Sequence, residues 1–264
     1  MRKSFFALPL LPVGCAFLLM LLSAGCGDGP VDLPSCEGVE WEYEGAYGPD
    51  EWSNLCVDFT ACAGAEQSPI DISGAKDDAS LQAIAEHFAS TGTHIVNKGH
   101  TIQLNTDAGS SITVNGETYN LLQFHFHTHS EHLLNGAAYP MEMHFVHKNE
   151  ATGKLAVIGV LVKEGAENHF LDPFLHHLPA TKDAVYDDAA TTYNVTDALP
   201  ANRSYFTYGG SLTTPPCSQI VTWLVMENPV EATAAQIQEL HELEHDNARP
   251  TQDLHGRSIR HFHI

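Results

Sequence analysis

Short runs of alternating apolar and polar residues are the main pattern of this chain. A period of two places successive side chains on opposite faces of a strand. Hairpin turns are predicted at Asn115-Gly116 and Asn135-Gly136, which separate neighbouring runs. The pattern therefore predicts strands over residues 93–97, 100–105, 111–114, 119–127, 142–147, 155–162 and 221–226.

Helical periodicity is confined to a few segments. Residues 81–89 and 232–245 predict helices, and residues 170–176 predict a third, weaker one. With 264 residues and 43% hydrophobic content, the chain is long enough to bury one large core. The expected fold is mainly β (α+β): a single domain, residues 39–264, around a central, mostly antiparallel twisted sheet with a few peripheral helices.

The first residues follow a different pattern. Arg2 and Lys3 precede an almost wholly apolar run that ends in small residues, which is typical of a secretory signal peptide over residues 1–25. Cys26 follows Ala-Gly as in a bacterial lipobox, although Ser23 replaces the usual leucine. Residues 26–38, rich in glycine and proline, are predicted to be a tether. We therefore expect an exported lipoprotein, either periplasmic or anchored to the outer membrane through a lipid on Cys26.

Charge and cysteine content narrow the choice of partners and compartment. The net charge of −21 disfavours polyanions, so no nucleic-acid partner is expected. An even number of cysteines in an exported chain is typical of disulfide bonds, with three connectivities open for four cysteines. The four beyond the predicted leader are Cys36, Cys56, Cys62 and Cys217.

Six histidines lie between residues 123 and 147. Alternation places His125, His127 and His129 on one strand face. Ligand atoms of a tetrahedral zinc ion lie roughly 3–3.5 Å apart, whereas a strand advances about 6.6 Å over two residues and about 13 Å over four. Neighbouring same-face histidines such as His125 and His127 can therefore converge on one ion, but His125 and His129 cannot. A third ligand would come from the return strand, which offers His144 or His147.

Several separated motifs resemble those of the α-class carbonic anhydrases and occur in the same order. The resemblance covers about residues 41–257 and implies the family's fold. It also implies reversible hydration of carbon dioxide to bicarbonate and a proton through a zinc-bound hydroxide, with weak ester hydrolysis as a side activity. One Zn²⁺ per chain and a monomer or homodimer are expected. The motifs are QSPI at 67–70, NKGH at 97–100, QFHFH at 123–127, SEH at 130–132, EMHFVH at 142–147, the loop at 208–216, VTW at 221–223 and NARP at 247–250.

The resemblance assigns roles around the metal. It implies that His125, His127 and His144 hold zinc. It also implies that Gln123, Glu142 and His132 make hydrogen bonds that orient these ligands. Thr213 is implied to receive a hydrogen bond from the hydroxide, and Glu131 to accept the threonine proton in turn.

The same resemblance assigns the proton path, the substrate pocket and the disulfides. His100 would be the proton shuttle, with Tyr43 and Gln103 ordering the connecting waters. A disulfide between Cys62 and Cys217 is implied, which leaves Cys36 and Cys56 for each other. The apolar pocket for carbon dioxide would be formed by Val146, Val157, Leu212, Thr214, Val221 and Trp223.

Other functions compete with this interpretation. His241-Glu242-Leu243-Glu244-His245 matches the H-E-x-x-H motif of zinc proteases on a predicted helix, although a third ligand is missing downstream. A non-catalytic binding module on the same fold, or a zinc buffer built from the 17 histidines, are alternatives from other functional classes. The chain also departs from the family at His129, an extra same-face histidine, and at Lys98, whose charge is expected to lower the pKa of His100.

Overall fold

A computed structural model describes residues 33–264, which form one compact unit. The predicted signal peptide, Cys26 and residues 27–32 of the predicted tether lie outside the described residues. Over the described range no helix is long and apolar enough to cross a membrane.

Strands dominate the described part of the chain, and helices are few and short. Three 3₁₀ segments span Gly45–Tyr47, Val57–Ala63 and Val195–Ala198. The helices are α1 (Trp52–Leu55), α2 (Asp172–Leu175) and α3 (Ala234–Glu244). The strands are β1 (Asp71–Ile72), β2 (Lys76–Asp77), β3 (Ala85–His87), β4 (Thr91–Asn97), β5 (Ile102–Asn105), β6 (Ser111–Val114), β7 (Glu117–His127), β8 (Leu133–Leu134), β9 (Met141–Lys148), β10 (Leu155–Glu164), β11 (Val185–Tyr193), β12 (Tyr205–Gly210), β13 (Val221–Met226), β14 (Val230–Ala232) and β15 (Arg260–Phe262).

One large sheet holds thirteen of these strands. Its main path runs β11-β4-β5-β7-β9-β10-β13-β12-β15-β2, with β14 beside β10 and β6 beside β7. Most pairs are antiparallel, and β10 pairs in parallel with β13 and β14, as does β15 with β2. The predicted mainly β fold with a mostly antiparallel central sheet is confirmed.

The central strands use both faces, which explains their alternating sequences. Phe124, Phe126 and Phe145 point into the larger core, where the rings of Phe124 and Phe145 pack on Phe170 and Phe124 also contacts Phe174. The histidines between the phenylalanines face the other way. The sheet thus presents its polar, chemically active side chains on the face opposite the largest apolar core.

The predicted helix over residues 81–89 is wrong. This segment contains β3, which pairs with β6 through Ala85 and Thr113. Leu81 and Ile84 are buried three residues apart, which mimics a helical stripe. Pairing along the exposed backbone of β6 overrides this weak local preference. The helix predicted over residues 232–245 is present as α3, with a capping box formed by Thr233 and Gln236.

Two disulfides stabilise the amino-terminal part of the described chain, and one of them ties it to the rest. Cys36 is bonded to Cys56, and Cys62 to Cys217. This is the connectivity that the family resemblance implies. Cys62 and Cys217 are buried against Trp52, so the bond fastens the first 3₁₀ segments to the loop before β13.

Candidate metal centre

Three imidazoles meet where β7 and β9 run side by side. The register pairs His125 directly with His144, and His127 with Glu142. The ring centroids of His127 and His144 lie 4.6 Å apart, and those of His125 and His127 lie 5.1 Å apart. A register shift between Leu121 and Gln123 sets this alignment. Antiparallel pairing thus brings together side chains that are nearly twenty positions apart in the sequence.

Each of the three rings has one nitrogen held by an acceptor. His125 Nδ1 lies 2.9 Å from Gln123 Oε1, and His127 Nδ1 lies 2.8 Å from the backbone oxygen of Asn247. His144 Nε2 lies 2.9 Å from Glu142 Oε1. These acceptors fix the tautomers of the three rings. The other nitrogen of each ring is then free to bind a metal: Nε2 of His125, Nε2 of His127 and Nδ1 of His144.

The donor set fits a metal ion. One ligand atom from each histidine lies within 4.8 Å of the other two. Burial lowers the pKa of all three imidazoles, that of His127 to about 4, so the rings are neutral and competent as ligands. His127 Nε2 is buried and has no hydrogen-bond partner among the described residues. Three neutral nitrogen donors match the ligand set of a catalytic zinc site with one open position.

Glu142 is the hub of the buried hydrogen bonds around His144. Its carboxylate accepts the backbone N–H groups of Glu131 and His132, at 2.9 and 2.8 Å, and the ring N–H of His132 at 2.8 Å. Burial alone would raise the pKa of Glu142, but the rings of His132 and His144 lower it well below its ordinary value. Glu142 is thus a fully buried carboxylate whose charge is offset by its donors.

The hydrogen-bond network extends beyond His132 to Tyr208 on β12. Tyr208 Oη lies 2.7 Å from His132 Nε2 and 3.0 Å from Ser68 Oγ. The backbone N–H of Ser211 donates to the same serine hydroxyl at 3.1 Å. Residues on three separate segments therefore hold His132, and through Glu142 they hold His144.

Glu131 lies beside the converging nitrogens. Its Oε1 accepts the backbone N–H of Arg249 at 2.9 Å, and its Oε2 lies 3.4 Å from His127 Nε2. Burial raises the pKa of Glu131 to about 7, while His144, the Arg249 backbone and the hydroxyl of Thr213 oppose the rise. Thr213 is itself buried. Glu131 and Thr213 thus lie together at the edge of the metal centre, as the resemblance implies.

An apolar surface lies next to the histidines on the same face of the sheet. Val146, Val157 and Trp223 occupy matching positions on β9, β10 and β13. They belong to one buried cluster with Val221, and Leu212 packs against it. Trp223 lies edge-on to His144, with 4.8 Å between the ring centroids. Five of the six predicted pocket residues are therefore together beside the triad.

A cavity of about 200 Å³ leads from the triad to His100. Its lining includes His125, His127 and the sixth predicted pocket residue, Thr214, together with Tyr43 and Gln103. His100 stacks on Trp41, with 4.0 Å between the ring centroids. Gly99, at φ +88°, allows the tight turn that places His100 there. The predicted proton-path residues thus share one cavity with two of the three converging histidines.

The cation near His100 is not the one expected from the sequence. Burial lowers the pKa of His100, and Lys182 lowers it further, against Glu42 and Glu40. Lys98 does not contribute to this shift. Lys182 approaches because Gly99 has no side chain, and its aliphatic stem packs over that glycine.

The remaining histidines of the region are placed elsewhere. His129 is exposed, and His147 points into the core, where its Nδ1 lies 2.9 Å from the backbone oxygen of Phe145. The protease motif is also broken up, because α3 ends at Glu244 and His245 adopts φ 53° beyond it. Glu244 is buried and accepts the backbone N–H of Ile102. These residues hold the fold and do not converge with the triad.

Four supporting residues carry no assigned role in the sequence analysis, although each lies in a quoted motif. Asn247 supplies the carbonyl for His127, and its side chain accepts the backbone N–H of Thr128. Arg249 donates to Gln67 and to the backbone of Ser68 and Cys62. Tyr208 and Ser68 complete the network behind His132. Their position inside the motifs was a signal that these residues matter. It did not reveal their roles, because contacts with backbone groups leave no pattern of residue types in the sequence.

Comparisons with known proteins agree with this architecture. The model of the eukaryotic-type carbonic anhydrase family matches residues 47–263. A carbonic anhydrase of Pectobacterium atrosepticum is 38% identical over 247 residues, which are 93% of this chain and 98% of that protein. The α-carbonic anhydrase of Thermovibrio ammonificans, solved in complex with the inhibitor sulfanilamide, aligns with a TM-score of 0.81 at 38% identity, covering 84% of this chain and 99% of its own. The α-carbonic anhydrase of Photobacterium profundum aligns with a TM-score of 0.79 at 40% identity. The alignment covers 84% of this chain and 100% of that one. The chain therefore belongs to the eukaryotic-type carbonic anhydrase family, whose members are lyases.

Proposed function

We propose that this chain catalyses the zinc-dependent, reversible hydration of carbon dioxide to bicarbonate and a proton, with one Zn²⁺ held by His125, His127 and His144. The observation that supports this most is the set of three free nitrogens, each on a ring whose other nitrogen is already held by an acceptor. Bound zinc supplies Lewis acidity, which makes water a nucleophile at neutral pH. Three uncharged ligands leave the full double charge of the ion available for that purpose.

The protein's own groups would orient the reaction. Thr213 and Glu131 lie at the edge of the triad, where the threonine hydroxyl can hold the attacking water and Glu131 can accept the threonine proton. A fixed threonine acceptor selects which lone pair of the water points at the substrate. Arg249 N–H, 2.9 Å from Glu131 Oε1, fixes the carboxylate that orients the threonine.

The substrate would rest on the apolar surface of Val146, Val157 and Trp223. Carbon dioxide has no net charge and gains little from hydrogen bonds, so an apolar surface suits it better than it suits bicarbonate. Because this surface adjoins the triad, the carbon atom of a bound substrate would lie near the attacking water. Bicarbonate, which is charged, is then more easily released to solvent. Weak ester hydrolysis is proposed as a side activity of the same nucleophile.

The excess proton would leave through the cavity that ends at His100. Burial holds the pKa of Tyr43 well above its ordinary value, so this side chain stays a neutral hydrogen-bond donor beside the path. Gln103 donates to Asn105 and keeps its carbonyl oxygen available for water. His100 at the outer end then passes the proton to buffer.

A stopped-flow pH-indicator assay tests the proposed activity directly. The purified chain with one equivalent of zinc should accelerate carbon dioxide hydration, and sulfanilamide, the inhibitor bound in the Thermovibrio ammonificans structure, should suppress it. No acceleration by folded, zinc-loaded protein would refute the proposal. The protease alternative is tested in the same preparation, since His241→Ala should leave the hydration rate unchanged.

His100→Ala should lower kcat in weak buffer by about 100-fold or more, because the proton then lacks its acceptor. Added imidazole should restore the rate, and kcat/KM should change little. Because burial and Lys182 lower the pKa of His100, its neutral, accepting form should persist below the ordinary histidine pKa of about 6.5. The wild-type kcat should therefore hold to more acidic pH than an exposed histidine would allow.

His87→Ala is a matched control, because His87 is an exposed histidine outside the cavity. An unchanged kcat for His100→Ala at low buffer concentration would reject the shuttle role.

We also propose that the chain is exported and anchored through a lipid on Cys26. The two disulfides support an oxidising compartment. Metabolic labelling with an alkyne fatty acid, compared between the wild type and Cys26→Ser, tests the anchor. Equal labelling of both proteins would contradict it.

A further inference from the structure

A second group of metal-ligating side chains lies at the other end of the sheet, on β15 and the end of β13. Glu227 follows β13, and His261 and His263 share one face of the chain at β15. Strand β12 runs between β13 and β15. Ser204 lies just before β12, and its backbone oxygen accepts the backbone N–H of Glu227 at 3.0 Å.

The three side chains converge, but they lie too far apart to make good hydrogen bonds with one another. His261 Nε2 lies 3.5 Å from Glu227 Oε1, and His263 Nδ1 lies 3.7 Å from Glu227 Oε2. One ligand atom from each residue lies within 4.8 Å of the other two. Both separations exceed a good hydrogen bond, and they lie at or slightly above the roughly 3–3.5 Å that separates two ligand atoms of one tetrahedral ion.

His261 is oriented as a metal-bound histidine usually is. Its Nδ1 lies 2.7 Å from Asp77 Oδ1 on the neighbouring strand β2. A carboxylate on one ring nitrogen directs the other nitrogen toward the metal and raises its basicity. The directed atom, Nε2, is buried and lacks a hydrogen-bond partner among the described residues, on a side chain only 12% exposed. Phe206 stacks on the ring, with 4.7 Å between centroids, and restricts its rotation.

We propose that Glu227, His261 and His263 form a second metal site, which binds a divalent transition-metal ion such as Zn²⁺ or Cu²⁺. Two imidazoles favour these ions over Ca²⁺ and Mg²⁺, which prefer oxygen ligands. His263 is 61% exposed, so water completes the coordination and the ion exchanges with solvent. The site shares no residue with the triad, which lies on β7 and β9.

A comparable cluster at Glu167, His169 and Asp172 lacks these features. His169 is 79% exposed, and its Nδ1 is already 3.0 Å from Asp172 Oδ2. No second carboxylate orients its ring among its described contacts, and its nitrogens are not among the unpartnered buried atoms. We therefore assign the second ion to the β15 cluster.

An ion at this site would fasten β15 to β13 across β12. Strand β15 has only three residues and pairs with β12 and the two-residue strand β2. A ligand that binds only the folded chain stabilises it by RT ln(1 + c/Kd), where c is the concentration of free ligand, so the thermal midpoint rises with the concentration of free metal. The second ion thus acts as a brace for this end of the sheet.

Metal counting tests the site. Purified protein is stripped with a chelator, titrated with Zn²⁺ and separately with Co²⁺, and bound metal is counted after gel filtration. The wild type should bind two equivalents, and His263→Ala or Glu227→Gln should bind one. His87→Ala, an exposed histidine on β3, should still bind two. His144→Ala should retain one equivalent, and the double variant His144→Ala/His263→Ala none.

The contrary results are equally definite. One equivalent bound by the wild type, or two by both His263→Ala and Glu227→Gln, would overturn the second site. Neither result bears on the triad, because His144→Ala reports on that site separately. The hydration rate of His263→Ala provides a further check of folding, since this variant should keep wild-type activity.

Discussion

Replacing His144 by alanine is expected to abolish carbon dioxide hydration and release the catalytic zinc. Two remaining imidazoles hold the ion weakly, and removal of the ring also leaves Glu142 Oε1 without one of its donors. Losing the Lewis acid costs several kcal/mol of transition-state stabilisation, so kcat/KM should fall by about 10³-fold or more. The stopped-flow rate, together with zinc counted in the same sample, measures both effects.

His147→Ala is the matched control for His144. It lies three residues further along β9, but points into the core, where its Nδ1 lies near the backbone oxygen of Phe145. This variant should lose some thermal stability but keep the triad's zinc and most of its activity. Wild-type activity in His144→Ala would contradict the assignment of the third ligand.

Replacing Glu142 by alanine is expected to damage both stability and metal affinity. The carboxylate accepts four hydrogen bonds, from Glu131, His132 and His144, and all of them are buried. Removing one partner of a buried charged network costs about 3–5 kcal/mol of unfolding free energy. Loss of the residue that orients His144 should also weaken zinc binding by about 10–100-fold.

Glu142→Gln and Gln123→Ala separate these two effects. Chemical denaturation of the metal-free proteins reports stability alone, and competition with a chelator reports zinc affinity. The side-chain oxygen of Gln123 lies 2.9 Å from His125 Nδ1 at a partly exposed position, so Gln123→Ala should weaken zinc binding with little change in stability. Equal stability of metal-free wild type and Glu142→Ala would contradict the role of Glu142 as a hub.

The effect of Glu142→Gln should depend on pH in a defined direction. The rings of His132 and His144 lower the pKa of Glu142 well below its ordinary value, although burial opposes them. A carboxylate with a lowered folded pKa adds stability above its unfolded pKa, about 4.3, and loses it as pH falls toward the folded value. The stability gap between wild type and Glu142→Gln should therefore be full at neutral pH and shrink below about pH 4.

The central strands and the faces that their histidines occupy were predictable because alternation and cross-strand pairing follow from sequence. Phe124 and Phe126 set one face of β7, and their neighbours His125 and His127 necessarily occupy the other. The choice between His144 and His147 needed the family resemblance, since a one-residue shift in register exchanges the two faces of β9. The structure then places His144 opposite His125.

Other parts of the fold could not be predicted from residue type. Strand β11 contains Asp187, Asp188 and two alanines and is interrupted by a register shift before Thr192, so it lacks a clear alternating pattern. Strand β12 begins before the loop motif at 208–216 and contains Gly209 and Gly210, which are rare in strands. Both are fixed by pairing with neighbours that are distant in sequence. The cluster at β15 depends on the same long-range pairing, so no pattern of residue types along the sequence predicts it.

Zinc removal and return, followed by the hydration rate, tests the central claim most directly. Chelator-treated protein that remains folded should show no acceleration above buffer, and added Zn²⁺ should restore the rate of the untreated protein. The same treatment of His144→Ala should restore nothing. A rate that survives zinc removal, or that zinc fails to restore in folded wild-type protein, would contradict a zinc centre at His125, His127 and His144.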